Sequence, residues 1–345
     1  MQNAARPIRR HSTLAIVVIF ATACAHGDVA PGERVVAEVR ALPAPRSAHP
    51  PEMPLPPDEL ARMLQSAPFE LRAMKRAEAG VMGVSKATAY FPSQRRELTV
   101  KWAPAPAKTA DEWNASPRKE TAAFAVQRWF LDPDDWVVPP TAMRCIPLAA
   151  YSRLAPDMPA TIEGTQCELG LVAVWLDHVK QPETIFDVDR FERDRTYAGH
   201  VADFNLFTYL VEHRDGRGGN ILVSGDGERI YAVDNGIAFG NLVWNYFVTN
   251  WDVLRVPGLR RAAIDRLRRV TPRDVDALMV VAELRADRAG VLQPVPPTAP
   301  IDPSQGIRVR DGRVQLGLTA DEAHAVGDRL KQLLARVDAG EIPLF

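Results

Sequence analysis

The chain has 345 residues, of which 46% are hydrophobic and 25% are charged. This composition is that of a globular protein with a sizeable core, and it excludes a chain that is disordered throughout. Lysine and arginine (42) nearly balance aspartate and glutamate (43), which argues against nucleic acid as the main partner.

Residues 1–23 are predicted to be an export signal. Arg6 and Arg10 precede an apolar run, which is about half as long as the roughly 20 residues that a membrane-spanning helix needs. The run ends in ATAC, which resembles a bacterial lipobox and implies cleavage before Cys24 and attachment of a lipid to its sulfur. Because Ala21 stands where such motifs usually have leucine, ordinary signal-peptidase cleavage is the alternative. We expect a membrane-anchored lipoprotein on the periplasmic or cell-surface face.

Residues 24–57 are predicted to form a proline-rich tether. The stretch ALPAPRSAHPPEMPLPP offers little that can pack, and proline-rich segments of this kind form extended, semi-rigid spacers. Such a spacer would hold the folded part of the chain away from a lipid surface. That folded part is predicted to divide into residues 58–178 and residues 179–345.

Residues 58–178 show mainly strand patterns. A helical apolar stripe begins at Pro57 and extends to Met74, interrupted at Pro68. Strand patterns follow at 84–91 and 97–105, a helix at 117–130, and two further strands at 143–149 and 168–176. The strands and the helix at 117–130 predict a small sheet lobe with one helix.

Residues 179–345 are predicted to be mainly helical. Helical spacing occurs at 197–211, 259–270, 272–284 and 319–337, and a proline-rich loop spans 293–303. After the first of these helices, NILVSGDGERIYAVD has the pattern of a hairpin with a Gly-Asp-Gly turn. The predicted fold class is therefore α+β, with a small N-terminal sheet lobe, a larger helical C-terminal lobe and a cleft between them.

Cys145 and Cys167 are the only cysteines besides Cys24. An exported chain meets oxidising surroundings, in which two cysteines can pair. We therefore predict a disulfide between Cys145 and Cys167. Two buried free thiols are the alternative.

Three polar residues after position 210 have the pattern of a phosphoryl-transfer site. Asp215 and Asn220 lie five residues apart across a glycine-rich loop, and Asp234 follows the strand-like RIYAV. The hairpin returns Asn220 to the neighbourhood of Asp234, where carboxylate and amide oxygens suit a hard metal ion. A solvated loop followed by an ordinary hairpin is the alternative, because Asn-Gly and Asp-Gly are common turn sequences.

Upstream residues supply the remaining parts of such a site. Lys101 lies in the strand pattern LTVKW, and Glu120 lies 19 residues further on, near the start of a predicted helix. A lysine and a glutamate in this arrangement can hold an ammonium group over nucleotide phosphates. Either residue alone would be interpreted as a solvated charge. Gly80 and Gly83 precede the strand at 84–91 and could fold over phosphates.

The joint order of these residues resembles the protein-kinase-like superfamily. The resemblance is to its divergent group, which includes the secretory-pathway (Golgi casein) kinases of the family with sequence similarity 20, the HipA-type kinases and the phosphatidylinositol kinases. It rests on RKETAAFAVQRWFLDPDDWVVPPT and on VDNGIAFG, and it covers about residues 75–255. Gly216 and Arg217 depart from the pattern of many relatives, and Asn235 replaces the usual kinase phenylalanine, as in the secretory group.

The resemblance implies a role for each of five polar residues. Lys101 would bind phosphate and pair with Glu120. Asp215 would be the catalytic base. Asn220 and Asp234 would hold the metal ion, which would be Mg²⁺ or Mn²⁺.

The resemblance also implies where ATP would bind. Gly80 and Gly83 would approach the nucleotide, and the edge of the adenine would meet the backbone of Val174, Trp175 and Leu176. No segment resembling an ordinary kinase activation loop follows VDNGIAFG.

The expected function is that of an ATP-dependent and metal-dependent kinase that phosphorylates a hydroxyl group of an unknown acceptor, such as a protein serine or threonine. One alternative is an exported pseudokinase that acts as a binding or scaffold module, because ATP is scarce outside the cytoplasm. Another is a lipid kinase, a sugar kinase or a nucleotidyl transferase on the same fold. Besides the acceptor, the expected partner is the membrane, through a lipid on Cys24.

Overall fold

A five-stranded antiparallel sheet organises the first part of the structure. The computed structural model describes residues 49–76, 84–105, 116–156, 158–216, 219–240 and 251–345. The first elements are α1 (Pro57–Ser66), β1 (Glu70–Arg76), β2 (Ser85–Phe91), β3 (Arg96–Pro104), α2 (Pro117–Gln127), β4 (Thr141–Pro147), α3 (Leu148–Tyr151) and β5 (Cys167–Val174). The strands lie in the order β1-β2-β3-β5-β4, and each is antiparallel to its neighbours.

The second part combines helices with two smaller sheets. Its elements are β6 (Val179–Lys180), α4 (Val188–Arg193), α5 (Arg195–Leu210), β7 (Ile221–Ser224), β8 (Ile230–Ala232), α6 (Arg261–Leu267), α7 (Pro272–Asp276), β9 (Ala282–Ala286), β10 (Leu292–Val295), β11 (Ile307–Arg310), β12 (Arg313–Leu316) and α8 (Ala320–Asp338). The second sheet has the order β6-β7-β8, and the third has the order β10-β9-β12-β11. The described residues therefore have a mixed α+β fold, in agreement with the α+β part of the prediction.

The residues of β3 divide between the two faces of the first sheet. Val100 and Trp102 are fully buried, and they pack with Leu60 and Leu64 of α1 in one apolar cluster. Because side chains alternate along a strand, Lys101 points to the opposite face. The first face is thus an apolar core, and the second carries a charged side chain.

The largest apolar core lies among α2, α5, α6 and α8. Asp194 caps α5 by accepting hydrogen bonds from the amides of Thr196 and Tyr197, both at 3.1 Å. At α8, Thr319 and Glu322 form a reciprocal capping box. These caps satisfy amide groups that would otherwise lack partners at the helix starts.

The apolar stripe of α1 does not continue as a helix to Met74, which corrects the sequence interpretation. The helix ends at Ser66, and residues 70–76 form β1. Pro68 explains the change, because the residue before a proline is driven to extended backbone. Ala67 accordingly has φ −71° and ψ 136°.

The predicted helix at 272–284 is wrong beyond Asp276. The chain passes through a 3-10 turn, Ala277–Val280, and then forms β9. Leu284 and Leu316 of the third sheet pack with Leu169 and Leu171 of the first sheet. Packing between the two sheets therefore decides the conformation of this segment over its helical spacing.

A disulfide joins β4 to β5 in the first sheet. Cys145 and Cys167 are its members, and their Cα atoms are 5.5 Å apart. The Cys167 side chain is buried in the same apolar cluster that contacts the third sheet. The cross-link therefore lies at the contact between the two sheets.

The end of the predicted tether is part of the folded core, contrary to the expectation that it packs against little. Glu52 is 3% exposed and Met53 is 2% exposed. Tyr231 Oη donates to Glu52 Oε2 at 2.8 Å, and the amide of Asp177 donates to Glu52 O at 3.0 Å. The segment before α1 is therefore tied to β8 and to the end of β5.

The predicted export signal, Cys24 and most of the predicted tether lie outside the described residues. Within the ranges that the structure describes, no helix is long and apolar enough to span a membrane.

Candidate functional site

Lys101 and Glu120 form a buried ion pair between β3 and α2. Lys101 Nζ donates to Glu120 Oε1 at 3.0 Å and to Oε2 at 2.8 Å. Pro117 lies in the first turn of α2, where a missing N–H breaks no helical hydrogen bond. Starting the helix there places Glu120 in its first turn, in contact with the sheet. The structure thus pairs two residues that are 19 positions apart in the chain.

Asp234 lies on another side of the Lys101 ammonium group. Its Oδ1 atom is 3.7 Å from Lys101 Nζ, and 39% of its side chain is exposed. Burial opposes the charged form of Lys101, but the charges of Glu120 and Asp234 outweigh it and raise the pKa of Lys101. Burial also raises the pKa of Glu120; the charge of Lys101 opposes this increase, and the charge of Asp234 adds to it. The cluster holds two carboxylates for one ammonium group, so it is suited to a further cation.

The hairpin of β7 and β8 brings Asn220 beside the residue that precedes Asp234. The two strands are antiparallel, and the amide of Val233 donates to Asn220 O at 2.8 Å. Asp234 then adopts a left-handed backbone conformation with φ 61°. Such a conformation is uncommon for residues other than glycine and often occurs at functional sites. The hairpin is therefore the element that places Asp234 next to Lys101.

Asp215 and Asn220 are joined by hydrogen bonds, and both residues are buried. Asn220 Nδ2 donates to Asp215 Oδ2 at 2.8 Å and to Asp215 O at 3.1 Å. Because the amide nitrogen is engaged in this way, Oδ1 is the Asn220 atom that can bind a metal ion. Arg214, which pairs with Glu212 and Asp252, anchors the chain immediately before Asp215.

His213 belongs to this site, although the sequence interpretation assigned it no role. It is 2% exposed, and neither ring nitrogen has a hydrogen-bond partner among the described residues. Burial lowers the pKa of His213 to about 4, while the charges of Asp215 and Asp234 act in the opposite direction. The imidazole is therefore neutral at pH 7. Its place two residues before Asp215 is the signal that could have identified it.

The segment predicted to meet the adenine lies beside Lys101 at the end of β5. Val174 is the register partner of Val100, the neighbour of Lys101. The amides of Val174 and Trp175 donate to carbonyl groups of the protein at 2.9 and 3.2 Å. The amides of two of these three residues are thus engaged within the fold, and Leu176 follows as a buried residue.

A second lysine lies on the same face of the first sheet. Lys86 of β2 is the register partner of Lys101, so the two side chains point in the same direction. Lys86 Nζ is 4.8 Å from the centre of the Trp175 ring, within the range of a cation–π interaction. This sheet face therefore combines two ammonium groups with an aromatic ring.

The first turn of α2 also contacts the loop that follows Asp234. The amide of Ser116 donates to Gly236 O at 3.2 Å, and Lys119 Nζ donates to Ala238 O at 3.0 Å. These contacts tie the helix that carries Glu120 to the segment that carries Asp234.

Two predicted nucleotide-binding residues, Gly80 and Gly83, lie outside the described residues. In the part of the chain that is described, no group of three or more His, Cys, Asp and Glu side chains is arranged to hold a metal ion. A metal ion held by Asn220, Asp234 and oxygen atoms of a bound phosphate would not form such a group.

A cavity of about 440 Å³ lies between α2, β4 and the third sheet. Its lining includes Thr121, Phe124, Met143 and Glu283, and none of the predicted site residues. The Glu283 carboxylate accepts hydrogen bonds from Thr298 and Gln315 and pairs with Arg313 at 3.3 Å, so its charge is already compensated. The charged cluster at Lys101, rather than this cavity, is the candidate site.

A scan of protein-family models finds no match to the chain, and a search of curated proteins finds none either. Its function is therefore inferred from the geometry of the site.

Proposed function

We propose that the chain is an ATP-dependent and metal-dependent kinase with a two-lobed, protein-kinase-like fold, which phosphorylates a hydroxyl group of its acceptor. The observation that carries this proposal is the convergence of five side chains from separate parts of the chain. Lys101 contacts Glu120 and Asp234, and Asp215 contacts Asn220 on the hairpin that leads to Asp234. Phosphoryl transfer requires this set of groups: a cation for phosphate, metal ligands and a carboxylate near the attacking hydroxyl.

The face of the first sheet that carries Lys101 would bind the nucleotide. Glu120 orients the Lys101 ammonium group, which would contact the phosphates. Lys86 would add a second positive charge, and the Trp175 ring beside it would offer an apolar surface to the base.

Asn220 and Asp234 fit a magnesium or manganese ion. Both supply oxygen atoms, which these hard cations prefer. The excess of carboxylates around Lys101 supports the same assignment. When bound, the ion would neutralise phosphate charge and orient the transferred group.

Asp215 would accept the proton of the acceptor hydroxyl, and its carboxylate is oriented for this by the Asn220 amide. As the proton leaves, the hydroxyl oxygen forms a bond to the γ-phosphorus atom of ATP. The bond from that phosphorus to the oxygen bridging the β-phosphate breaks, and ADP leaves with the electron pair. His213 packs next to this loop as a neutral group, so it adds no positive charge that would weaken the base.

Transfer of label from γ-labelled ATP tests the proposal. The full chain, purified in detergent, is incubated with Mg²⁺ or Mn²⁺ and an acidic protein acceptor, and D234A is compared with D226A. Asp226 is the matched control because it lies at the turn of the same hairpin, where it accepts hydrogen bonds from Ser224 and Glu228. We expect label on the protein or the acceptor with the wild type and D226A, and none with D234A.

Other outcomes would point to the alternatives. Absence of transfer, together with absence of metal-dependent stabilisation by ATP in thermal unfolding, would contradict the proposal and favour a pseudokinase. Incorporation of label from α-labelled ATP would indicate nucleotidyl transfer. Lipid and sugar acceptors in the same assay would distinguish those kinases from a protein kinase.

A further inference from the structure

The two residues directly before Glu120 are held by α8. Arg118 Nη1 donates to Glu322 Oε2 at 2.6 Å, and Nη2 donates to Oε1 at 3.2 Å. Lys119 Nζ lies 3.0 Å from Glu322 Oε1. The three side chains are between 5% and 17% exposed. A buried ion cluster, formed by Arg118, Lys119 and Glu322, therefore joins α8 to the first turn of α2.

The surroundings of this ion cluster hold Arg118 in one place. Arg118 Nη1 also donates to Gly317 O at 3.1 Å. A Cβ atom at Gly306 would collide with the Arg118 guanidinium group, so glycine at this position leaves the space that Arg118 occupies in the ion cluster. Burial would raise the pKa of Glu322, but the hydrogen bond and charge of Arg118, with the charge of Lys119, lower it to about 2. Glu322 is thus ionised at any pH at which the protein would act.

The ion cluster is connected both to Glu120 and to the loop after Asp234. Lys119, which contacts Glu322, also donates to Ala238 O in the loop after Asp234. Glu120 follows Lys119 directly and pairs with Lys101. One carboxylate on α8 therefore connects to both partners of the Lys101 ammonium group.

We propose that Glu322 is a positioning residue for phosphoryl transfer. It holds the first turn of α2 so that Glu120 stays paired with Lys101 and the loop after Asp234 stays docked, while Glu322 itself touches no substrate. This inference rests on the proposed kinase function. Because Glu322 lies on a helix of the same chain, it can hold Glu120 in place without covalent modification of a loop.

The test compares E322Q with D274N in the transfer assay. Asp274 is the matched control because it closes the capping box of α7, as Glu322 closes that of α8, and it bonds Thr271 rather than α2. We expect kcat to fall by about 10- to 100-fold in E322Q, because small displacements of positioning groups have effects of this size. The KM for ATP should change much less than kcat, and D274N should keep the wild-type kcat.

A double variant separates positioning from loss of stability. In an E120Q background, E322Q should cause a much smaller fall in kcat than in the wild type, because the Lys101–Glu120 pair is already broken and only the docking of the loop after Asp234 remains to be lost. A role in stability alone would lower the melting temperature of both backgrounds and leave kcat per folded molecule unchanged. If thermal unfolding shows that E322Q does not fold, R118K replaces it. R118K keeps the charge but loses the bidentate contact with Glu322. We expect R118K to lower kcat as E322Q would, in the wild-type and in the E120Q background.

The outcomes distinguish this inference from the proposed function. An active wild type whose kcat survives in E322Q or R118K overturns the inference alone, as do independent losses in the double variant. A wild type without phosphoryl transfer overturns the proposed function and this inference with it.

Discussion

The two faces of the first sheet share the same strands but differ in chemistry. On one face Val100 and Trp102 pack with α1 in an apolar core, whereas on the other face Lys101 is joined to two carboxylates. Since alternate residues of β3 point to opposite faces, residues that are adjacent in sequence belong either to the apolar core or to the charged cluster. We expect the apolar face to contribute stability alone and the charged face to contribute both stability and the proposed chemistry, and substitutions can test this division.

The largest effect is expected on the charged face. K101M should lower the transfer rate by about 10²- to 10³-fold, because a cation aimed at developing charge is lost. It should also lower the free energy of unfolding by about 3 kcal/mol, since Glu120 stays buried without its partner. The double variant K101M/E120Q should recover most of the stability and none of the activity. Steady-state kinetics and urea unfolding measure the two quantities, and restored activity in the double variant would contradict the role of Lys101.

A substitution on the apolar face should lower the stability and leave the activity unchanged. Leu64 is fully buried, and L64A should lower the free energy of unfolding by about 3 kcal/mol through lost burial and a residual cavity. The kcat per folded molecule should stay at the wild-type value. The control is R62A on the exposed side of α1, whose ion pair with Asp58 is solvent-exposed and should contribute less than about 0.5 kcal/mol. Loss of kcat in folded L64A would show that the two faces are coupled.

A smaller effect is expected when the pH is lowered, because His213 lies near the charged face. The pKa of His213 is about 4 in the folded protein, and an unfolded histidine titrates near 6.5. Between these values the unfolded chain binds more protons, so stability that is present above pH 6.5 is lost as the pH falls towards 4. The loss between pH 7 and pH 5 should be about 2 kcal/mol. H213L should lack this contribution, and equal pH slopes of the melting temperature in both proteins would refute it.

Residue types and their order were enough to identify most of the candidate site. Lys101, Glu120, Asp215, Asn220 and Asp234 were predicted from their residue types and from the order that resembles the kinase-like superfamily. The structure places Lys101 in contact with Glu120 and Asp234, and Asp215 in contact with Asn220. His213 was missed because a buried histidine has no distinctive pattern of its own.

The pairing of Arg118 with Glu322 could not be predicted for a different reason. The two residues are 204 positions apart, and no local pattern marks either as a partner of the other. Only the packing of α8 near α2 brings them into contact.

Strand β10 of the third sheet was missed because it lies at the start of a proline-rich stretch. Pro294 made residues 293–303 resemble a loop, yet β10 lies at the edge of its sheet. A proline is tolerated in an edge strand because one side of that strand needs no ladder hydrogen bonds.

The hydrogen bond from Tyr231 to Glu52 determines where a shortened form of this protein can begin. Removing the chain up to Pro56 would take Glu52 and Met53 out of the core, and it would leave the buried Tyr231 hydroxyl without its acceptor. That hydroxyl lies on the strand that leads to Asp234. Proteolytic release of an intact domain would therefore need a cleavage point before Glu52.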